Sequence, residues 1–176
     1  MTTARTEWVK DRVRDLHGLY GQTVMHWRAV EMAFREVGRD GLPQFQEAVP
    51  VLQLSVIHVT FAANRKIAIQ TYQDDDEWGL FYEIPDESIL LDLEEGIFRS
   101  RDLHELPRGL ITDVQIHLND RGNISRVTLS VGNTTTILLV AGEAYEQTDG
   151  TLRFARDDES ILVFPSAADE HAVVWV

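Results

Sequence analysis

Hydrophobic and polar positions follow two rhythms along this chain, and the rhythm changes near residue 50. From about residue 4 to 37, apolar residues recur at steps of three and four, which places them on one face of a helix. Gly18 and Gly21 interrupt the pattern, so it predicts either one kinked helix or two helices joined near residues 17–22. The apolar positions are Val9, Val13, Leu16, Tyr20, Val24, Trp27, Val30 and Phe34.

From residue 52 onward, apolar and polar residues alternate in short runs separated by turn residues, which is typical of antiparallel strands. The runs at 52–61 and 66–71 flank a polar turn and predict a hairpin. We therefore expect an α+β fold in which an N-terminal amphipathic helical segment packs on a mainly antiparallel β-sheet. Further strands are predicted at 80–84, 114–118, 124–129, 137–140, 152–154 and 172–176.

The pentapeptide Asp-Glu-Ser-Ile-Leu occurs twice, at residues 86–90 and 158–162. Each copy follows a charged turn and a short strand, which favours an internal repeat of two similar β-units; chance reuse of similar turns is the alternative. We expect one domain over residues 1–176, a size that can bury a substantial core. Its predicted parts are a helical segment (1–42), a first β-unit (51–94), a charged connector (95–109) and a second β-unit (110–176).

The net charge of −13 lies entirely in the second part of the chain. Residues 1–50 carry seven basic and seven acidic side chains, so residues 51–176 hold the whole excess. Such a field repels nucleic acid and anionic membranes and favours either a basic partner or solubility alone. The N-terminus lacks the features of a secretory signal, and no apolar stretch is long enough to span a bilayer, so we expect a cytoplasmic protein.

Two acidic clusters are the candidate interaction surface. The first, at a predicted hairpin tip, resembles a calcium loop at three positions, but Trp78 and Pro85 stand where such a loop needs side-chain oxygens, so an EF-hand is excluded. A solvated turn is the alternative to a contact surface. The candidate residues are Asp74, Asp75, Asp76, Glu77, Trp78, Asp157, Asp158 and Glu159.

Motifs for catalysis or cofactor binding are absent from the sequence. The chain has no cysteine, no glycine-rich phosphate loop and no pair of histidines at a zinc-binding spacing, so we expect no cofactor and no metal. His104, in a polar segment between carboxylates, is the first histidine to test for acid–base chemistry.

These observations leave three functional hypotheses. The first is a non-enzymatic interaction protein, of the inhibitor or immunity type, that binds a basic protein partner. The alternative is a small-molecule-binding or enzymatic domain with a pocket between the N-terminal helix and the sheet. That pocket would be lined by Trp27, His26, His58, Tyr72 and Tyr82. The third is a homo-oligomer formed through a sheet edge such as the uncharged strand at 173–176.

Overall fold

A computed structural model describes residues 3–85, 94–132 and 135–176. Within these ranges the chain forms a ten-stranded, antiparallel sheet and two α-helices, so the predicted mainly antiparallel α+β fold is confirmed at this level. The helices are α1 (Thr3–His17) and α2 (Ala167–Ala172). The strands are β1 (Thr23–Met32), β2 (Leu52–Phe61), β3 (Lys66–Asp74), β4 (Glu77–Glu83), β5 (Glu94–Glu95), β6 (Phe98–Asp102), β7 (Gly109–Leu118), β8 (Ile124–Val131), β9 (Thr135–Glu146) and β10 (Leu152–Phe164).

The predicted helix over residues 4–37 is wrong beyond His17, because residues 23–32 form strand β1. A register shift against β2 lies between Val24 and His26, so Met25 is an extra residue in the strand. This bulge separates the buried Val24 and Trp27 by three positions, and after it Trp27 and Ala29 are buried at the spacing of a strand. The bulge therefore gives two buried residues of a strand, Val24 and Trp27, a spacing that is typical of a helix.

The predicted connector at 95–109 contains strand β6 and the end of β5. Ala29 pairs with Arg101 and Glu31 pairs with Arg99 across β1 and β6. Both arginines bind the carboxylate of Glu31, which is fully buried. Arg99 and Arg101, two of the charged residues in the predicted connector, are therefore the partners of the buried Glu31.

Six strands of the sheet close into a ring. Along the sheet β2 is followed by β10, β9, β8, β7 and β1, and β1 pairs again with β2. The hairpin of β3 and β4 extends from the other edge of β2, and β6 and β5 extend from β1. Because β2 pairs with β10 only through residues 52–54, the rest of that edge is left for β3.

The sheet has a core on each face. The larger core holds residues of all six ring strands, including Trp27, Leu54 and Ile161, and α1 adds Val9 and Leu16 to it. The smaller core lies on the opposite face of β9 and β10, where Leu138 and Leu162 are covered by other elements. Those covering residues are Phe34, Val51, Val173 and Trp175.

The predicted final strand at 172–176 is wrong. The chain forms α2, which is capped by Ser166 accepting from the backbone N–H of Asp169, and then lies along β10. A single bridge joins Trp175 to Phe154, and the Trp175 ring packs on Phe154 and Phe164. The segment covers the smaller core instead of presenting an open strand.

The two copies of the repeated pentapeptide cannot be compared. The first, at 86–90, falls outside the described residues, and the second lies in β10. The internal repeat therefore stays a prediction. In the described ranges, neither helix has the length and apolar character needed to cross a membrane.

Candidate functional site

The first predicted acidic cluster lies at the turn between β3 and β4, where Asp74 pairs with Glu77. Much of its charge is neutralised by the chain's own arginines. Asp74 binds Arg5 of α1, and Arg121 binds both Asp76 and Glu77, the latter at 3.0 Å.

The same turn leaves part of its surface to solvent. Asp75 and Asp76 point outward, and Trp78 is half-buried at the start of β4. The turn therefore carries less free negative charge than its sequence suggests.

The second predicted cluster is a bulge in β10. Arg156 pairs with Gly142 and Ile161 pairs with the next residue along β9, Ala141, so residues 157–160 have no partners in the β9–β10 ladder. Asp157 takes a positive φ of 56° to start the bulge, a conformation that Asp tolerates better than most residues. The bulge turns three consecutive acidic side chains out of the strand ladder.

The bulge brings the two predicted clusters together. Asp157 lies beside Asn119 and close enough to Glu77 for that carboxylate to contribute to the raised pKa of Asp157, after the larger effect of burial. The backbone carbonyl of Glu159 accepts a hydrogen bond from Thr71 of β3. Residues 74–77 and 157–159, separated by about eighty positions in the sequence, therefore share one side of the molecule.

Glu143 of β9 is the residue that the sequence analysis missed. Ser160, which is 3% exposed, donates a hydrogen bond of 3.3 Å to its carboxylate. Burial, and then the charges of Asp158 and Glu159, raise the pKa of Glu143 to about 7. A lone glutamate just after the predicted strand at 137–140 was the available signal.

Tyr145 completes this group. Its hydroxyl donates to Asp158 at 2.7 Å, and burial followed by that hydrogen bond raises the pKa of Tyr145. We call Glu143, Asp157, Asp158 and Glu159 the acidic surface. Within the described part of the chain, none of these four carboxylates forms an ion pair with a lysine or arginine, in contrast to Asp74, Asp76 and Glu77.

Two adjoining cavities lie near the end of β9, and Glu143 lines the smaller one. The smaller one has a volume of about 420 Å³ and lies between the chain after β1 and the end of β9. The larger one, about 1000 Å³, is an open cleft between residues 35–47 and the β9–β10 turn. Arg35, Val37 and Glu146 line both.

Side chains of the N-terminal helical segment pack against the sheet where the pocket was predicted. Leu16 and Leu19 are buried there, and the Trp8 ring meets the Tyr72 ring edge-on at 4.6 Å. Trp27 is enclosed in the larger core, where its indole N–H donates to the carbonyl of Pro107.

Three of the six histidines, His26, His58 and His104, lie near Arg28 or Asp102. His26 lies 3.0 Å from Asp102, which also meets Arg28 at 3.4 Å. His104 is exposed and contacts Arg108. Burial, and then the charge of Arg28, lower the pKa of His58.

No metal-binding group of three or more His, Asp or Glu side chains is present among the described residues. Comparisons with known proteins add no assignment: no protein-family model, no curated protein and no solved structure matches this chain.

Proposed function

We propose that this protein binds a basic protein partner through the acidic surface at the β10 bulge. The observation that carries the proposal is the set of four carboxylates, Glu143, Asp157, Asp158 and Glu159, that lack an ion-paired arginine or lysine in the described residues. Elsewhere in the same ranges most arginines are bound to acids of the chain itself, whereas these four carboxylates lie close together without such a partner.

The electrostatics of this surface favour an incoming cation. Carboxylates held close together raise one another's pKa because each disfavours the charged form of its neighbour. A lysine or arginine side chain placed among them relieves that repulsion and forms charge-assisted hydrogen bonds. The net charge of −13 would also attract a basic partner over a distance and accelerate association.

A direct test uses a fluorescent peptide of alternating arginine and glycine, with a citrulline–glycine peptide as its uncharged control. We expect binding of the arginine peptide alone. Its association rate should fall by about tenfold between roughly 20 and 200 mM NaCl, because salt screens long-range attraction. A protein that binds neither peptide, or an association rate that salt does not change, would contradict the proposal.

A triple variant locates the interaction. Asp157→Asn, Asp158→Asn and Glu159→Gln together should weaken peptide binding by about tenfold or more. The matched control changes Glu7→Gln, Asp11→Asn and Asp15→Asn on α1, which removes the same charge elsewhere. Equal losses in the two variants would mean that net charge alone attracts the peptide.

Small-molecule binding is a second candidate, and the open cleft of about 1000 Å³ favours it. Arg35 and Arg99 stand in its wall, and the Arg99 guanidinium stacks on the ring of Phe45 at 3.9 Å. A crystallographic fragment screen would test this function. Fragments that gather in the cleft would support it, and fragments scattered over the surface would count against it.

A further inference from the structure

We propose that the cavity of about 420 Å³ beside Glu143 is the anchor site for one lysine or arginine side chain of the basic partner. This inference rests on the proposed function and adds the part of the partner that enters the protein. Three observations support it: the volume of the cavity, the residues that line it, and the negative charge of Glu143.

The walls of the cavity suit the alkyl stem of a basic side chain. They combine apolar and polar surface in similar amounts. Long basic side chains bury their methylene groups against apolar surface while the charged end stays with polar groups. The volume falls within the range of about 300–1000 Å³ that is usual for ligand pockets, so it can admit a side chain and ordered water. The apolar lining residues are Met32, Ala33, Phe34, Val37, Ile97 and Ala144.

Glu143 supplies the charged end of the site. Glu143 lines the cavity, and its carboxylate accepts a hydrogen bond from the buried Ser160 and has no basic partner in the described residues. The nearest arginine in the cavity wall, Arg35, is already held by Glu47, by Glu146 at 3.1 Å and by the carbonyl of Gly150 at 2.9 Å. A cation from outside the chain therefore meets an unpaired acid.

Gln53 holds the two walls in place. Its side-chain amide donates to the carbonyl of Ala33 at 3.4 Å and accepts from the backbone N–H of Ala144 at 2.7 Å. Gln53 is buried, so both sides of the cavity are tied by one side chain from β2. A cavity formed before binding lowers the entropy lost when a ligand enters.

Glu143→Gln tests the anchor with little change of shape. At pH 8 we expect this variant to bind the arginine–glycine peptide about tenfold more weakly than the unmodified protein. For the unmodified protein, binding should weaken by about fivefold from pH 8 to pH 6 as Glu143 gains a proton, and the variant should lose most of this dependence. Arginine keeps its charge throughout this range.

The comparison isolates Glu143 from the other charged groups around it. Asp158 and Glu159 face it from β10, Tyr145 and Glu146 belong to its own strand, and Arg35 and Glu36 line the cavity from the chain after β1. All of them remain in the variant, so any general effect of pH on the acidic surface appears in both proteins.

Val37→Lys provides a second, independent test. Val37 lines the cavity and is 69% exposed, so a lysine there can place its own ammonium beside Glu143. We expect it to compete with the peptide and weaken binding by about fivefold, whereas the uncharged control Val37→Met should bind nearly as well as the unmodified protein.

Three outcomes separate the two proposals. Peptide binding that is weakened by Glu143→Gln and Val37→Lys, with NMR shift changes at residues 32–37 and 143–146, supports the anchor site. Binding that is unaffected by both variants but lost in the 157–159 triple variant overturns the anchor site and leaves the proposed function standing. Absence of peptide binding overturns both.

Discussion

Two glutamates, the buried Glu31 and the half-buried Glu143, show how differently one residue type behaves in this protein. Glu31 is enclosed between Arg99 and Arg101, with guanidinium nitrogens 2.7 Å from its carboxylate. Glu143 has only Ser160 as a hydrogen-bond donor among the described residues and faces two further carboxylates. The first is a structural ion pair, and the second is an acid that lacks a counter-ion.

Glu143→Gln should stabilise the protein at alkaline pH. Because burial raises the pKa of Glu143 from 4.5 to about 7, the folded state holds this proton more tightly than the unfolded state. The free energy of unfolding therefore falls as the pH rises from about 4.5 to 7 and stays lower above that. Allowing for solvent screening at this half-buried site, we expect the variant to gain about 1 kcal/mol at pH 8 and nothing near pH 4.5.

Urea denaturation at the two pH values measures this difference. Asp120→Asn, an exposed turn residue, is the control and should show no comparable dependence on pH. A variant less stable than the unmodified protein at pH 8 would show that the Glu143 charge is favourable in the fold.

Glu31→Ala should destabilise the protein by about 3 kcal/mol, because it leaves two arginines without their buried partner. Glu7→Ala removes the exposed ion pair with Lys10 on α1 and should change the free energy of unfolding by no more than about 0.5 kcal/mol. Chemical denaturation of both variants gives the comparison. Similar losses would mean that the burial of Glu31 adds nothing to its pairing.

At the scale of elements, the bulge in β10 depends on the strand opposite it. Gly142 pairs with Arg156 at the last regular position before the bulge. A methyl group on Gly142 would lie 2.5 Å from the backbone carbonyl oxygen of Ala155, a distance that only a shift of the strand can relieve. The missing side chain therefore lets β9 and β10 approach closely where the acidic residues leave the ladder.

Gly142→Ala should accordingly cost about 2 kcal/mol or more in the free energy of unfolding. It should also weaken binding of the arginine–glycine peptide, since Glu143 and the bulge would both move. Thermal denaturation and peptide titration measure the two effects. An unchanged free energy of unfolding in Gly142→Ala would show that β9 and β10 can move apart at this position without loss of stability.

The sequence predicted elements where each strand follows a simple alternation. Leu52–Phe61 and the strand after it form the predicted hairpin, and the acidic runs lie in a turn and a bulge as turn-forming residues do. Strand β1 was missed because one extra residue, Met25, gave its buried residues a helical spacing. The sequence pattern of β1 alone does not reveal this insertion, because a residue is extra only relative to the residues of the partner strand, β2.

The candidate site was only partly predictable for a related reason. Asp157, Asp158 and Glu159 are visible as a charged run, whereas Glu143 acquires its properties from burial and from residues fifteen or more positions away. The ring closes because β1 pairs with β7 and β2 pairs with β10. These strands lie far apart in the sequence, and the pattern within one strand does not predict its distant partner.

For the whole molecule, the excess of negative charge should oppose folding. With a net charge of −13, self-repulsion is stronger in the compact state than in the expanded chain. Raising NaCl from roughly 20 to 200 mM should therefore increase the thermal unfolding midpoint by a few degrees. Calorimetry at both concentrations checks this, and a lower midpoint in salt would mean that the internal ion pairs outweigh the repulsion.

The position of β10 between β2 and β9 also sets the order in which the chain can fold. Residues 52–54 pair with residues 161–163, which are synthesised roughly a hundred residues later, so the ring cannot close until residues 161–163 have left the ribosome. Until then the edges of β2 and β9 that β10 will cover stay unpaired, and open strand edges are where chains join one another. The nascent chain is therefore most exposed to misassembly just before β10 appears, and we expect chaperones to bind it at that stage.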